Sequence, residues 1–301
     1  MNSKDFSQGA AWMRGKIVPT GEAALPVTDW GLTHSDITYD VVHVWDGRFF
    51  RLDDYLTRFE KSVVRCHLNI EQSRDEIRHI LHSIVTQSGL KQAYVSMVAS
   101  RGQPRIAGSR DPRDCENHFY AWCVPFVWVF DETVRKRGAH LYVPGDIRRI
   151  ASNAVNPLAK NYQWGDFTQG LLQAKESGFD NTLLLDSEGH VTEGPGFNVF
   201  IVKDGHAKTA KAGVLEGITR KVAMEICKRH SVPVSETDIS LDDLYDADEV
   251  FATTTGGGLV SITRINQHTF SNDKPGEMCS LLQNTYWQWH NSDMSERIDY
   301  G

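Results

Sequence analysis

Five cysteines in 301 residues are few, and Cys66, Cys115, Cys123, Cys227 and Cys279 form no CxxC pair. An odd count without that spacing argues against a disulfide framework and against a zinc site, and it fits a reduced cytoplasm. Long apolar runs are missing too. None reaches the roughly 18 residues that span a bilayer, and Met1 to Phe6 holds no apolar core of signal-peptide length, so neither membrane insertion nor export is expected. Basic charge is in deficit: 32 Lys and Arg stand against 39 Asp and Glu, for a net charge of -7. The cations are scattered, without the stripe that nucleic acid requires. Solenoid or propeller repeats and low-complexity tracts are absent as well. What is left is globular sequence of enzyme type, long enough for two lobes, with small molecules as the expected partners.

The pattern along the chain predicts a mixed α/β fold in which antiparallel pairing dominates, because hairpin signals outnumber clean βαβ units. Ala11 to Val18 and Tyr39 to Leu52 are rich in β-formers, and Asp46-Gly47 marks the second as a hairpin. Leu52, Leu56, Phe59, Val63 and Cys66 recur at helical spacing, leaving Arg58 and Lys61 off the apolar stripe. Ser73 with Glu76 has the form of a capping box opening a second helix. Tyr94 to Ser100 and His118 to Val129 read as strands around a Gly- and Pro-containing loop, 101–113. The pattern loosens between Phe130 and Gly138. The expected organisation is therefore a smaller N-terminal domain at 1–130, a linker at 131–137 and a larger domain at 138–301.

Two stretches carry the chemistry. Asn156 to Trp164 reads NPLAKNYQW and holds Lys160, and Val191 to Asn198 reads VTEGPGFN and holds Glu193. An isolated lysine is usually solvated, but one set between a Pro-containing loop and an aromatic-rich helix can be desolvated into an amine that attacks an aldehyde. A carboxylate beside flexible glycines can face a flat ligand and keep a ring nitrogen protonated, so that the ring withdraws electrons. Together the two read as a pyridoxal phosphate site. Leu215 to Lys221 (LEGITRK) adds a helix start near Arg220, which offers free amides and a positive dipole end to an anion, with Thr219 serving as N-cap, phosphate donor or both. Thr253 to Gly258 (TTTGGG) adds the hydroxyls of Thr254 and Thr255 before three glycines.

In this order the motifs resemble those of the fold type IV aminotransferases, the family of branched-chain and D-amino-acid aminotransferases, over about Ala11 to Ile265. The resemblance implies a two-domain pyridoxal 5'-phosphate enzyme. It implies Lys160 as the Schiff-base lysine and proton shuttle, Glu193 as partner of the pyridine nitrogen, and Arg58, Ile218, Thr219, Thr254 and Thr255 around the phosphate. A homodimer and ping-pong transfer from an amine to a keto acid such as pyruvate follow. The segments His34 to Asp54 and Lys160 to Asp166 look most like the (R)-selective amine transaminases. By that similarity His34, Tyr39 and Trp164 would line a larger substrate pocket, and Val41, Tyr94, Thr255 and Gly256 a smaller one.

Two positions depart from the relatives. Ala107 stands where a loop arginine receives the keto-acid carboxylate, with Arg105 or Arg110 as substitutes, and Ser96 stands where an acidic side chain is common. The rival readings are a D-amino-acid or branched-chain amino-acid aminotransferase, an elimination of the aminodeoxychorismate lyase kind, and a cofactor-binding protein without turnover.

Overall fold

The structure, a computed structural model, describes residues 5–301, so the first four residues of the Met1 to Phe6 stretch lie outside it. Among the described residues no helix is long and apolar enough to cross a membrane. The architecture is mixed α/β with two sheets, and the chain divides into two compact units.

The first unit comprises the chain up to Val127 together with Ala159–Tyr162 and His290–Gly301. Its sheet runs Ser295–Arg297, Arg48–Phe50, Ile37–Trp45, Ala93–Pro104, Cys115–Pro125, Ala10–Met13, Lys16–Pro19, with every pair antiparallel. Asp46 and Gly47 both take positive φ, 49° and 68°, the requirement of the tight turn whose twist suits a hairpin. The helix Leu52–Arg65 packs on the strand Ile37–Trp45, and Arg74–Ser88 packs on three others, its start closed by the Ser73 and Glu76 capping box. Strand Ala93–Pro104 runs further than expected, past an irregularity between Ser100 and Gln103, and takes in the start of the anticipated loop.

The register lines up three of these strands row by row. Tyr39 pairs with Val98 and Val98 with Tyr120, while Val41 pairs with Ser96 and Ser96 with Trp122. Side chains alternate between faces along a strand, so these rows share one face.

The second unit comprises Trp128–Leu158 and Gln163–Trp289. Its sheet follows Val234–Thr237, His206–Ala210, Phe197–Lys203, Glu249–Thr254, Gly258–Ile265, Ala139–Tyr142, Asn181–Thr182, and the short strand Glu193–Gly194 pairs with Phe197–Lys203. Leu141, Leu183, Val199, Ile201, Ala252 and Ile262 belong to its buried core. The helices Ile218–Arg229 and Glu277–Trp289 pack on the central strands.

The division differs from the expected 1–130, 131–137 and 138–301. The units part between Val127 and Trp128, and the expected linker is the helix Glu132–Arg137, whose N-cap Asp131 accepts from Val134 N at 2.8 Å. Val134 is buried, which anchors the segment within the second unit. Ala159–Tyr162 and His290–Gly301 join the first unit because each lends backbone to its sheet: Thr38 bridges Asn161, and Ser295–Arg297 pairs with Arg48–Phe50.

Replacing Ser73 by Ala removes the capping acceptor of helix Arg74–Ser88 and should cost about 1 kcal/mol, read as a lower urea midpoint.

Candidate active site

The lysine half is built on an open strand edge. Of strand Ile37–Trp45, only Val44 and Trp45 pair with Arg48–Phe50, so the earlier part of the strand needs another partner on that side. Lys160 supplies it: its carbonyl accepts from Tyr39 N at 3.1 Å and from Thr38 Oγ1 at 2.6 Å, and its amide donates to Ser62 Oγ at 3.4 Å. The backbone of the lysine is thus held from both sides. Its half-buried side chain lies with Nζ 4.6 Å from the Tyr39 ring centre.

Tyr39 and Tyr162 lie 4.5 Å apart by ring centres. Around them Val41, Val98 and Tyr120 form a buried cluster against which Tyr94, Trp122 and Tyr162 pack. Burial pushes the phenols of Tyr94, Tyr120 and Tyr162 well above their ordinary range, and neighbouring phenols add to the shift, so all three stay neutral. Ser96 lies in the same face, between Val41 and Trp122 across the strands; it is fully buried, and its hydroxyl has no partner among the described residues.

Arg58, read from the sequence as lying off the apolar stripe, is buried. The reason is Asp40, which takes Arg58 Nε at 2.8 Å and Nη2 at 2.7 Å and also accepts from Val41 N at 2.7 Å. Burial opposes the charge of the guanidinium, but Asp40 outweighs it and holds the group above its ordinary value. Such a pair is invisible to a helical wheel, because its acid comes from a strand.

His34 and Arg105 lie outside this cluster. His34 is exposed, stacked on Trp30 with ring centres 4.4 Å apart, its Nδ1 2.7 Å from Thr33 Oγ1. Arg105 is exposed at the start of a loop stapled by its own amide to Asp114 O at 3.0 Å, and it lines a polar cleft of about 620 Å³ with His67, Glu71, Arg101 and Arg113. Arg110 is exposed on the same loop.

The carboxylate half belongs to the second unit. Glu193 is buried and triply held: Oε2 accepts from Leu215 N at 3.0 Å and Asn198 Nδ2 at 3.2 Å, and Oε1 lies 3.4 Å from Arg149 Nε. Arg149 in turn meets Asp166 at 2.6 Å and covers the Phe167 ring at 4.1 Å. Arg149 and Asp166 were missed in the sequence, since neither is near Glu193 along the chain. Two glycines make the clamp possible. A side chain at Gly194 would collide with the Phe197 ring, and one at Gly217 with Asn198 Oδ1.

Asn198 and Leu215 also join Glu193 to the start of helix Ile218–Arg229. The N-cap is Gly217, with no side-chain cap, so Thr219 stands in the first turn and is not the cap. The residue is 3% exposed and its hydroxyl finds no partner among the described residues. An orphaned hydroxyl beside first-turn amides, which no helix can satisfy internally, suits an anion such as a phosphate. The Arg220 side chain is turned to Ala210 O and Glu236.

On the neighbouring strand Thr254 Oγ1 donates to Gly196 O at 2.8 Å and accepts from Gly256 N at 3.1 Å, while the Gly256 carbonyl receives Val129 N. Thr255, beside it, is half-buried. Trp164, 36% exposed, precedes helix Gly165–Glu176 and meets Phe167 edge-on.

Known proteins resemble this chain along most of its length. The amino-transferase class IV family model matches residues 38–265. A putative branched-chain-amino-acid aminotransferase of Methanocaldococcus jannaschii is 28% identical over 91% of this chain and 94% of its own length. A D-alanine aminotransferase of Listeria innocua is 28% identical over 90% and 92%. Among solved structures, the branched-chain aminotransferase of Thermoproteus uzoniensis with norvaline superposes with a TM-score of 0.83 at 25% identity, covering 93% of this chain and 94% of that one. The PLP-form of the branched-chain amino acid aminotransferase from Thermobaculum terrenum does so with a TM-score of 0.83 at 23% identity over 94% of each chain.

The chain belongs to amino-transferase class IV, with the fold type IV architecture. Pyridoxal 5'-phosphate is its cofactor, and the residues fit that group: an amine on Lys160, a clamped carboxylate on Glu193, and a hydroxyl and amides at Thr219.

Asp40→Asn should leave Arg58 buried without its counter-charge and cost about 3 kcal/mol, measured by urea unfolding.

Proposed function

We propose that this aminotransferase is an (R)-selective amine transaminase that uses pyruvate or a similar keto acid as acceptor. The observation that carries this reading is the neutrality of the face beside Lys160. Tyr39, Tyr94, Tyr120, Trp122 and Tyr162 give it rings and neutral phenols, with Val41 and Val98 between them. The buried arginines of the same unit are matched to acids, Arg58 to Asp40 and Arg101 to Asp36 at 2.8 Å. A donor carboxylate needs a cation to receive it, whereas an aryl or alkyl amine needs an apolar wall.

In this reading Lys160 would hold the cofactor and then move a proton at Nζ, taking it from the donor carbon and passing it to the cofactor, not back to the donor. The clamped backbone of Lys160 fixes where that amine swings. Pyridoxal phosphate supplies the aldehyde and the electron-withdrawing ring. Glu193 holds the ring nitrogen protonated, its own position fixed by Asn198, Leu215 N and Arg149. Arg58, the first-turn amides of Ile218 and Thr219, the Thr219 hydroxyl, and Thr255 with Thr254 as its neighbour would hold the phosphate. By the family resemblance His34, Tyr39 and Trp164 are assigned to the larger substrate pocket, Val41, Tyr94, Thr255 and Gly256 to the smaller, and Arg105 to the acceptor's carboxylate. A cytoplasmic homodimer completes the reading, supported by five free cysteines and by the family resemblance.

A second reading has a specific basis: relatives at 28% identity are named branched-chain and D-alanine aminotransferases. An amino-acid donor would then place its carboxylate on Arg105 or Arg110.

Initial rates with pyruvate and (R)- or (S)-1-phenylethylamine, D-alanine or L-leucine separate these. The (R)-amine is expected to exceed each of the others by about tenfold or more, a difference of about 1.4 kcal/mol. A faster rate with either amino acid establishes the second reading. Lys160→Ala should abolish covalent capture of the cofactor on borohydride reduction, seen as the missing mass increment in the intact protein. Capture that persists would move the role to another lysine.

A further inference from the structure

Glu193 does not face its arginine alone. Asp166, in the first turn of helix Gly165–Glu176, takes Arg149 Nη1 at 2.6 Å, while Arg149 Nε stays 3.4 Å from Glu193 Oε1. The side chains of Arg149, Asp166 and Glu193 are 8%, 11% and 8% exposed, so their charges are screened little by water. Asp166 is itself fixed, accepting from Ile150 N at 2.8 Å and from Phe167 N at 2.7 Å. The Phe167 ring under the guanidinium holds its plane.

The inequality of the two contacts has a chemical consequence. An arginine committed to Glu193 alone would neutralise that carboxylate and leave it a poor partner for a pyridinium. Asp166 draws the guanidinium toward itself. The three side chains then carry one net negative charge, matched by one protonated ring nitrogen.

We infer that Asp166 is a positioning residue that acts on the cofactor's ring through Arg149 and Glu193, keeping the carboxylate available to the protonated nitrogen. The inference rests on the assignment of Glu193 to that nitrogen.

The test compares binding of pyridoxal phosphate with binding of its 1-deaza analogue, in which C–H replaces the ring nitrogen while the aldehyde and phosphate remain. Dissociation constants are measured by absorbance titration of the full-length apoenzyme for the parent, Asp166→Asn and Asp166→Glu. The parent should prefer pyridoxal phosphate. Asp166→Asn should lose about tenfold of that preference, the size of one unit in the ring nitrogen's acidity, with binding of the deaza analogue unchanged. Asp166→Glu should restore most of it. Equal weakening of both ligands would mean that Asp166 only supports the fold, and an unchanged preference would mean no relay; either overturns the inference. A parent with no preference would overturn the assignment of Glu193 and the relay with it. Should Asp166→Asn fail to fold, Arg149→Lys, which keeps the charge but loses the fork that spans both acids, is expected to narrow the preference in the same way, and a preference left at the parent's value overturns the relay.

Discussion

The lysine half of this protein depends on a strand edge that its own sheet leaves open. Strand Ile37–Trp45 is paired along one side by Ala93–Pro104 but meets Arg48–Phe50 only at its last two residues. Buried N–H groups on the open side must find acceptors. Tyr39 N finds the carbonyl of Lys160, and Val41 N finds the carboxylate of Asp40. One need thus places both features: it draws a distant segment in to hold the lysine, and it turns an acid toward the edge, where it can also bury Arg58. Lys160 sits where it does because backbone hydrogen bonding demands something there.

The carboxylate half solves a different problem, that of holding a buried charge still without extinguishing it. Neutral donors do most of the holding, since Asn198 and the Leu215 amide both serve Oε2. They fix direction while leaving the charge in place. The close approach they need is available only because Gly194 and Gly217 carry no side chain, so the glycines of the two motifs serve the fold of the clamp as much as access by a flat ligand.

Local features were legible in the sequence. The hairpin at Asp46-Gly47 and the capping box at Ser73 depend on residues two to four apart, and both are where the pattern put them. The family was legible from the order of the motifs around Lys160 and Glu193, each of which is a short local run of residues. What was not legible was non-local. Arg58 reads as solvated until Asp40 arrives from another element, Arg149 reaches Glu193 from 44 residues away, and Asp166 reaches Arg149 from 17. The cap at helix Ile218–Arg229 was misplaced for a subtler reason: Thr219 is a good cap by type, but Gly217 takes the position and leaves the threonine hydroxyl uncommitted. Ala159–Tyr162 could not be assigned to the first unit from sequence, because the open edge that recruits it appears only once the sheet is formed.

The buried guanidiniums of both units are handled in one way. Arg58 answers to Asp40, Arg101 to Asp36, Arg149 to Asp166 and Glu193, and Arg220 to Glu236. Burying these guanidiniums is tolerable only because each has an acid at hydrogen-bonding distance. Net charge is then a weak means of attracting an anion here, and fixed dipoles become the stronger one. The uncapped start of helix Ile218–Arg229 meets that need, since its amides are oriented before any ligand arrives and cost no side-chain entropy to align. The same restraint in charge governs the face beside Lys160. With the buried arginines of the first unit paired and the phenols there kept neutral, that face offers shape and apolar contact and little charge.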